Sequence, residues 1–232
     1  MGKVIVMDQF NRLNLLIGQD KFRCISKQTV LVLGLGGVGS YAVEALVRSG
    51  IGCVIIVDND KVDITNLNRQ LMTLHSNVNM YKTDVWEARI KDINPRCQVI
   101  KVCSFITPEN IGELFNYDVN YVIDACDTLS TKKALIRECI QREISFISSM
   151  GTGNKLDPSQ LEIVDIRKTS YDPLARVIRK MIKDEHIKSK VMVVCSKERP
   201  IRNNDGAIGS NAFVPATAGL LCASYVINDI IK

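Results

Sequence analysis

The chain has 232 residues, 46% of them hydrophobic and 24% charged, with a formal net charge of +5. That is enough for one α/β domain, with or without an appendage. Its mild basic excess, concentrated after residue 150, hints at an anionic partner. The eight cysteines form no C-x-x-C pair and there are two histidines, which argues against a structural zinc site and for reduced thiols in a cytoplasmic protein. The first ten residues lack the basic start and apolar run of a signal peptide. The longest apolar stretch, residues 213–227, is shorter than a span of roughly 20 residues and carries Pro215, Thr217, Ser224 and Tyr225. It reads as a buried helix, and no integral membrane span is expected.

Residues 8–29 precede the first strand. Leu13, Leu16, Ile17 and Phe22 suggest a short helix packed on the body, which would hold Arg12 in a fixed place. Residues 30–33 form an apolar β-type run, followed by Gly34-Leu35-Gly36-Gly37-Val38-Gly39 and a helical segment to Ser49. A second apolar run, residues 54–57, ends in Asp58-Asn59-Asp60. Strand, glycine-rich turn, helix, strand and acid is the dinucleotide-binding order. Glycines let backbone N–H groups approach a phosphate at a helix N-terminus, and the acid is placed to accept from ribose hydroxyls.

Residues 81–93 read as a helix ending at Asn94-Pro95, and residues 98–102 as the third strand. Thr107-Pro108-Glu109 has the form of a short helix start. The fourth strand, residues 121–124, leads into Ala125-Cys126-Asp127-Thr128, and Ser130 or Thr131 is expected to cap a helix running to about Arg142. Residues 144–148 are the fifth strand. This alternation calls for a mainly parallel sheet with helices on both faces.

After residue 153 the pattern changes. Strand-like runs at 161–166 and 190–195 flank a helix opened by Asp172-Pro173, with Leu174, Val177, Ile178, Met181 and Ile182 on one face. Arg176, Arg179, Lys180 and Lys183 occupy the other. The two strands extend the sheet, with antiparallel pairing expected. A polar loop over 203–209 and a helix over about 215–231 complete a single domain of 1–232. It divides into a helical segment (1–29), a nucleotide-binding core (30–153) and an extension (154–232).

A lone G-x-G-x-x-G does not distinguish a nicotinamide cofactor from ATP. The residues after Asp58 do. Asn66, Arg69, Gln70 and Lys82 offer amide and cationic donors along a polyphosphate: forked hydrogen bonds from Arg69 and a mobile point charge from Lys82. Asp127, at the end of the fourth strand, is placed to hold Mg²⁺ beside the phosphates.

These residues make the chain resemble the adenylating superfamily of ubiquitin-activating enzymes and their ThiF-type bacterial relatives. The pieces are the G-x-G-G-x-G turn, Asp58-x-Asp60, Asn66-x-x-Arg69-Gln70, Lys82 and Asp124-x-x-Asp127, spanning residues 10 to about 153. The resemblance implies that Gly34, Gly36, Gly37, Gly39, Asp58, Asp60, Asn66, Arg69, Gln70, Lys82 and Asp127 bind ATP, with Asp127 as the Mg²⁺ ligand. It also implies a homodimer in which Arg12 reaches the partner's ATP, making Arg12, Arg69, Lys82 and Asp127 the catalytic set. Asn79 stands where relatives usually carry Gly, and Asn tolerates left-handed backbone.

The second half narrows the resemblance. Gly151-Thr152-Gly153-Asn154-Lys155-Leu156-Asp157-Pro158, Ile166-Arg167-Lys168-Thr169, Asp172-Pro173-Leu174, Gly209-Ser210 and Phe213-Val214-Pro215 are similar to the tRNA threonylcarbamoyladenosine dehydratase branch. That branch implies ATP-dependent ring closure of the modified base beside the anticodon, through an acyl-adenylate. Arg167, Lys168, Arg176, Arg179, Lys180 and Lys183 are then the candidate tRNA footprint, and a cysteine desulfurase is a candidate sulfur-transfer partner. Ring closure within one substrate needs no enzyme thiol, so Cys195 and Cys222 are read as packing residues; His75 and His186 receive no catalytic duty. Two rival readings stand beside this one: an activator of a ubiquitin-like sulfur-carrier protein, and an NAD-binding dehydrogenase or nucleotide-sensing module.

Overall fold

The structure, a computed structural model, describes residues 8–201 and 206–232. Two short helices, α1 (Asn11–Ile17) and α2 (Gln19–Ile25), precede the sheet. The core then alternates β1 (Thr29–Leu33), α3 (Gly39–Arg48), β2 (Cys53–Val57), α4 (Lys82–Ile93), β3 (Gln98–Val102), β4 (Tyr121–Asp124), α5 (Leu129–Gln141) and β5 (Ser145–Ser149). It continues with β6 (Leu161–Asp165), α6 (Pro173–Asp184), β7 (Met192–Ser196) and α7 (Val214–Ile230).

The strands form one seven-stranded sheet in the order β3-β2-β1-β4-β5-β7-β6. All neighbours are parallel except β6 and β7. The α/β doubly wound class read from the alternation is therefore present. The antiparallel extension is a single pair at the edge, and β7 itself runs parallel to β5.

Period-two alternation explains why the central strands are apolar throughout. Val30, Val32, Val54 and Ile56 enter one core with α3 and α7, while Leu31, Leu33, Ile55 and Val57 enter a second with α5. A third core lies between α6 and β7. Helix α7 crosses α3 at close range: a Cβ on Gly219 would meet the Val38 carbonyl oxygen at 2.2 Å. Among the described residues no helix is long and apolar enough to cross a membrane.

Three local expectations are corrected. The segment before β1 is two helices broken at Gly18, and Leu16 is 80% exposed beside Leu15 at 84%, whereas Ile17 packs against the main core and Phe22 against Phe10, so the expected packing holds for only part of this set. Helix α5 begins at Leu129 with Thr128 at its N-cap, and the Thr131 hydroxyl instead donates to the Ile106 carbonyl at 2.8 Å. Residues 107–110 form a turn before a 3-10 helix (Ile111–Asn116), because the Asn110 carboxamide accepts from the Thr107 N–H and closes the loop on itself. The loop expected over 203–209 lies partly outside the described residues, as do residues 1–7.

Candidate active site

In a doubly wound sheet, ligands bind where the strand order reverses. Here that point lies between β1 and β4, and the glycine-rich turn crosses it. Gly34 has φ 90°, and a Cβ there would lie 2.8 Å from the Ala125 carbonyl oxygen at the end of β4. A Cβ on Gly39 would lie 1.8 Å from the Gly34 oxygen. Both positions therefore need glycine. The turn that enters α3 opens through Gly36, Gly37 and Val38 on a cleft of about 390 Å³, while the Ser40 and Ala42 N–H groups donate to the Gly36 and Val38 carbonyls.

Asp58 fixes the opposite rim. Its carboxylate accepts from the Leu35 N–H at 2.7 Å and the Asp60 N–H at 2.8 Å, tying the end of β2 to the glycine turn. Burial pushes this carboxyl above its ordinary value, against the opposing pull of the Lys82 ammonium 3.9 Å away.

Lys82 reaches the cleft through a short antiparallel contact. The Val62 N–H bonds the Met80 carbonyl, and the Lys82 N–H bonds the Asp60 carbonyl. Asn79 makes the turn in left-handed conformation, φ 71°, as its tolerance for that region suggests. The Lys82 side chain is buried, and its ammonium donates to the half-exposed Asp60 at 2.8 Å. In this state it is held by Asp60 and is not a mobile charge.

The remaining predicted donors line the same cleft. The Asn66 side-chain oxygen accepts from the Asp63 N–H in a capping box, which fixes the carboxamide. The Arg69 guanidinium donates to the Thr65 carbonyl and to Asn68, which sets its fork at the rim. Gln70 is buried, and its Oε1 has no hydrogen-bond partner among the described residues, an acceptor that a nucleotide hydroxyl could satisfy. Phe105, 58% exposed, supplies an apolar wall.

Asp127 is exposed where the cleft meets a second pocket of about 850 Å³. The two share Arg69, Cys126, Asp127, Thr152 and Ser210, and the second continues to Asp172, Leu174 and Ile208. Mg²⁺ fits Asp127 as one carboxylate ligand, the others being phosphate oxygens and water, as is usual for this hard, hydrated ion.

Two buried ion pairs support this junction. Lys132 is fully buried and donates to Asp124 at 2.7 Å, to the Ser148 hydroxyl at 3.1 Å and to the Ser149 carbonyl at 3.0 Å. Burial alone would push its ammonium down; the Asp124 carboxylate outweighs that and holds it above its ordinary value. The other Asp124 oxygen accepts from the Cys126 N–H, so the network sets the loop that presents Asp127. Lys155 likewise bonds the Gly151 carbonyl at 2.6 Å and Asp172 at 2.9 Å, while Asp172 caps α6 through the Ala175 N–H. That pair joins the floor of the second pocket to α6.

The thiols at and near the site are not activated. Burial, and then the Asp124 charge, raises Cys126. Burial pushes Cys195 and Cys222 up to about 12.

Not every predicted residue joins the site. Arg12 is exposed on α1 and does not line its own chain's cleft. In the basic set, Arg167 is committed to Asp165 and to the Ile187 and Ser189 carbonyls, and Arg179 turns inward to Thr169. Lys168, Arg176, Lys180 and Lys183 remain on the exposed surface. The sequence reading assigned no role to Cys126, Lys132, Lys155 or Ser210. The Ser210 carbonyl meets Asn68 across 142 positions of the chain, which no local spacing reveals.

The profile of the ThiF family matches residues 10–227. The tRNA threonylcarbamoyladenosine dehydratase of Bacillus subtilis (strain 168) is 46% identical, over 98% of this chain and 96% of that protein. Its counterpart in Escherichia coli (strain K12) is 39% identical, over 90% of this chain and 76% of that protein. The crystal structure of the E. coli dehydratase in complex with ATP superposes with a TM-score of 0.91 at 35% identity, covering 98% of this chain and 97% of that one.

Proposed function

The chain belongs to the ThiF family, and on that premise we propose that it uses ATP to dehydrate threonylcarbamoyladenosine in tRNA, closing the side chain of the base into a ring. The observation that carries this reading is the pair of communicating pockets. One presents a helix N-terminus, Arg69 and Lys82 to a triphosphate, and the other opens at Asp127 and Thr152 onto room for a modified base.

A carboxylate oxygen of the threonyl group attacks the α-phosphorus of ATP, and pyrophosphate leaves. A heteroatom of the same side chain then attacks the activated carbonyl carbon, and AMP leaves with the carboxylate oxygen. The protein's task is positioning and charge neutralisation. Asp58 holds ribose; Asp60, Gln70 and the glycines Gly34, Gly36, Gly37 and Gly39 shape the nucleotide site. Asn66, Arg69 and Lys82 bind phosphates, Lys82 exchanging Asp60 for a phosphate oxygen. Asp127 would hold Mg²⁺, which would supply neutralisation of phosphate charge there.

The working unit in this reading is a homodimer. Helix α1 has no buried residue, and it exposes Leu15 and Leu16 near Arg12. Such a face suits a second subunit, whose nucleotide Arg12 would reach. Lys168, Arg176, Lys180 and Lys183 form the tRNA-facing surface, with Arg167 and Arg179 bracing it. The reading places the whole chain, as one domain, in the cytoplasm. A cysteine desulfurase stays a candidate partner in this reading, outside the ring-closing step.

The test is incubation with ATP, Mg²⁺ and tRNA bearing threonylcarbamoyladenosine, followed by mass analysis of the nucleosides. The reading predicts a product lighter by one water. An unchanged base, or pyrophosphate exchange that requires a small carrier protein, overturns it.

A further inference from the structure

A pocket lined by Asn154, Tyr171, Pro173, Arg199 and Pro200 lies beside the second pocket and shares Asn154, Pro173 and Pro200 with it. At its edge the Tyr171 ring is 52% exposed, with the Arg199 guanidinium 4.6 Å from the ring centroid. The Arg199 guanidinium also donates to the Tyr171 hydroxyl at 3.4 Å. Neither side chain is buried, so core packing does not account for the stack. Tyr171 is held at φ 57°, a left-handed conformation unfavourable for a bulky residue. The next residue, Asp172, is pinned by Lys155 and by its cap on α6, which fixes where the strained ring points.

We infer that Tyr171 and Arg199 form a stacking platform for an unpaired RNA base next to the one that enters the second pocket. The inference rests on the tRNA reading above and extends it to a defined contact. A base that enters a pocket leaves its neighbours unstacked, and proteins that bind single-stranded RNA meet such bases with aromatic rings and guanidinium planes. The location suits this role. The ring lines a pocket that adjoins the second one, and exposed Lys168 and Arg176 lie three residues before it and five after it in the chain. Arg199 preorganises the ring and adds a cationic face to it.

The experiment compares native enzyme with Tyr171→Asn, Tyr171→Phe and Tyr171→Trp in steady-state dehydration of modified tRNA. Asn accepts the left-handed backbone and removes only the ring. It is expected to raise KM for tRNA by about tenfold, with kcat and KM for ATP unchanged. Phe and Trp are expected to keep near-native KM, because stacking and not the hydroxyl carries the contact. An unchanged tRNA KM in Tyr171→Asn, or an equal loss in Tyr171→Phe, overturns the platform while native activity upholds the tRNA function. Absence of dehydration by the native enzyme overturns both.

Discussion

At the scale of the residue, the nucleotide cleft holds its charges in a poised state. Asp58 has burial on one side and the Lys82 ammonium on the other, and burial prevails, so its carboxyl titrates above the usual carboxylate value. A raised folded value means that its contribution to stability is present when protonated and lost as pH rises through that value. The proposed ribose contact needs the opposite state, the ionised acceptor. ATP affinity is therefore expected to fall on acidification while still above the range of an ordinary aspartate (about 3.9). Calorimetric titration against pH checks this, with Asp58→Asn expected to bind weakly and without that dependence. An affinity that stays flat into the ordinary range contradicts it.

At the same scale, what was legible in the sequence was the set of polar residues trailing β2. Asp58, Asn66, Arg69, Gln70 and Lys82 do line one cleft. Each follows a strand end or helix start that local pattern places. Lys132 was hidden because a lysine within an amphipathic helix reads as solvated, and its partners Asp124 and Ser148 are set by strand pairing. Arg179 misled in the opposite direction. Helical spacing puts it with Lys180 and Lys183, yet its long side chain folds back to Thr169.

At the scale of the element, α7 is the part whose role the sequence left least visible. Its composition says that it is buried, but not against what. The structure sets Gly219 against the first turn of α3, the proposed phosphate site. Gly219→Val is expected to push α7 off α3. The overpacking costs about 1–3 kcal/mol, several degrees of Tm in a chain of this size, and it raises KM for ATP because the α3 turn moves with it. Thermal melting and nucleotide titration read both effects. A variant that melts like the native protein and binds ATP equally would show that the contact does not set the turn. The break of α1 from α2 at Gly18 was likewise unseen, since Leu13, Leu16 and Ile17 have core-like spacing; the structure leaves Leu16 exposed.

At the scale of the whole molecule, the sheet brings its reversal point, the second pocket and the basic surface of α6 into one path, as the strand order 3-2-1-4-5-7-6 requires. The missing component is Arg12, which does not line its own chain's cleft. If it serves a partner's ATP, inactive Arg12→Ala and Lys82→Ala chains should complement each other. Dissociated and mixed in equal amounts, they are expected to recover roughly a quarter of native activity, one complete site in each mixed dimer. No recovery above either parent contradicts service across the interface.

The central claim is that the carboxylate is activated as an acyl-adenylate in the cleft between β1 and β4. Its most direct test uses tRNA whose threonyl carboxylate carries heavy oxygen. The account predicts one labelled oxygen in the phosphate of the released AMP. Unlabelled AMP, or ADP and labelled inorganic phosphate in its place, would contradict it.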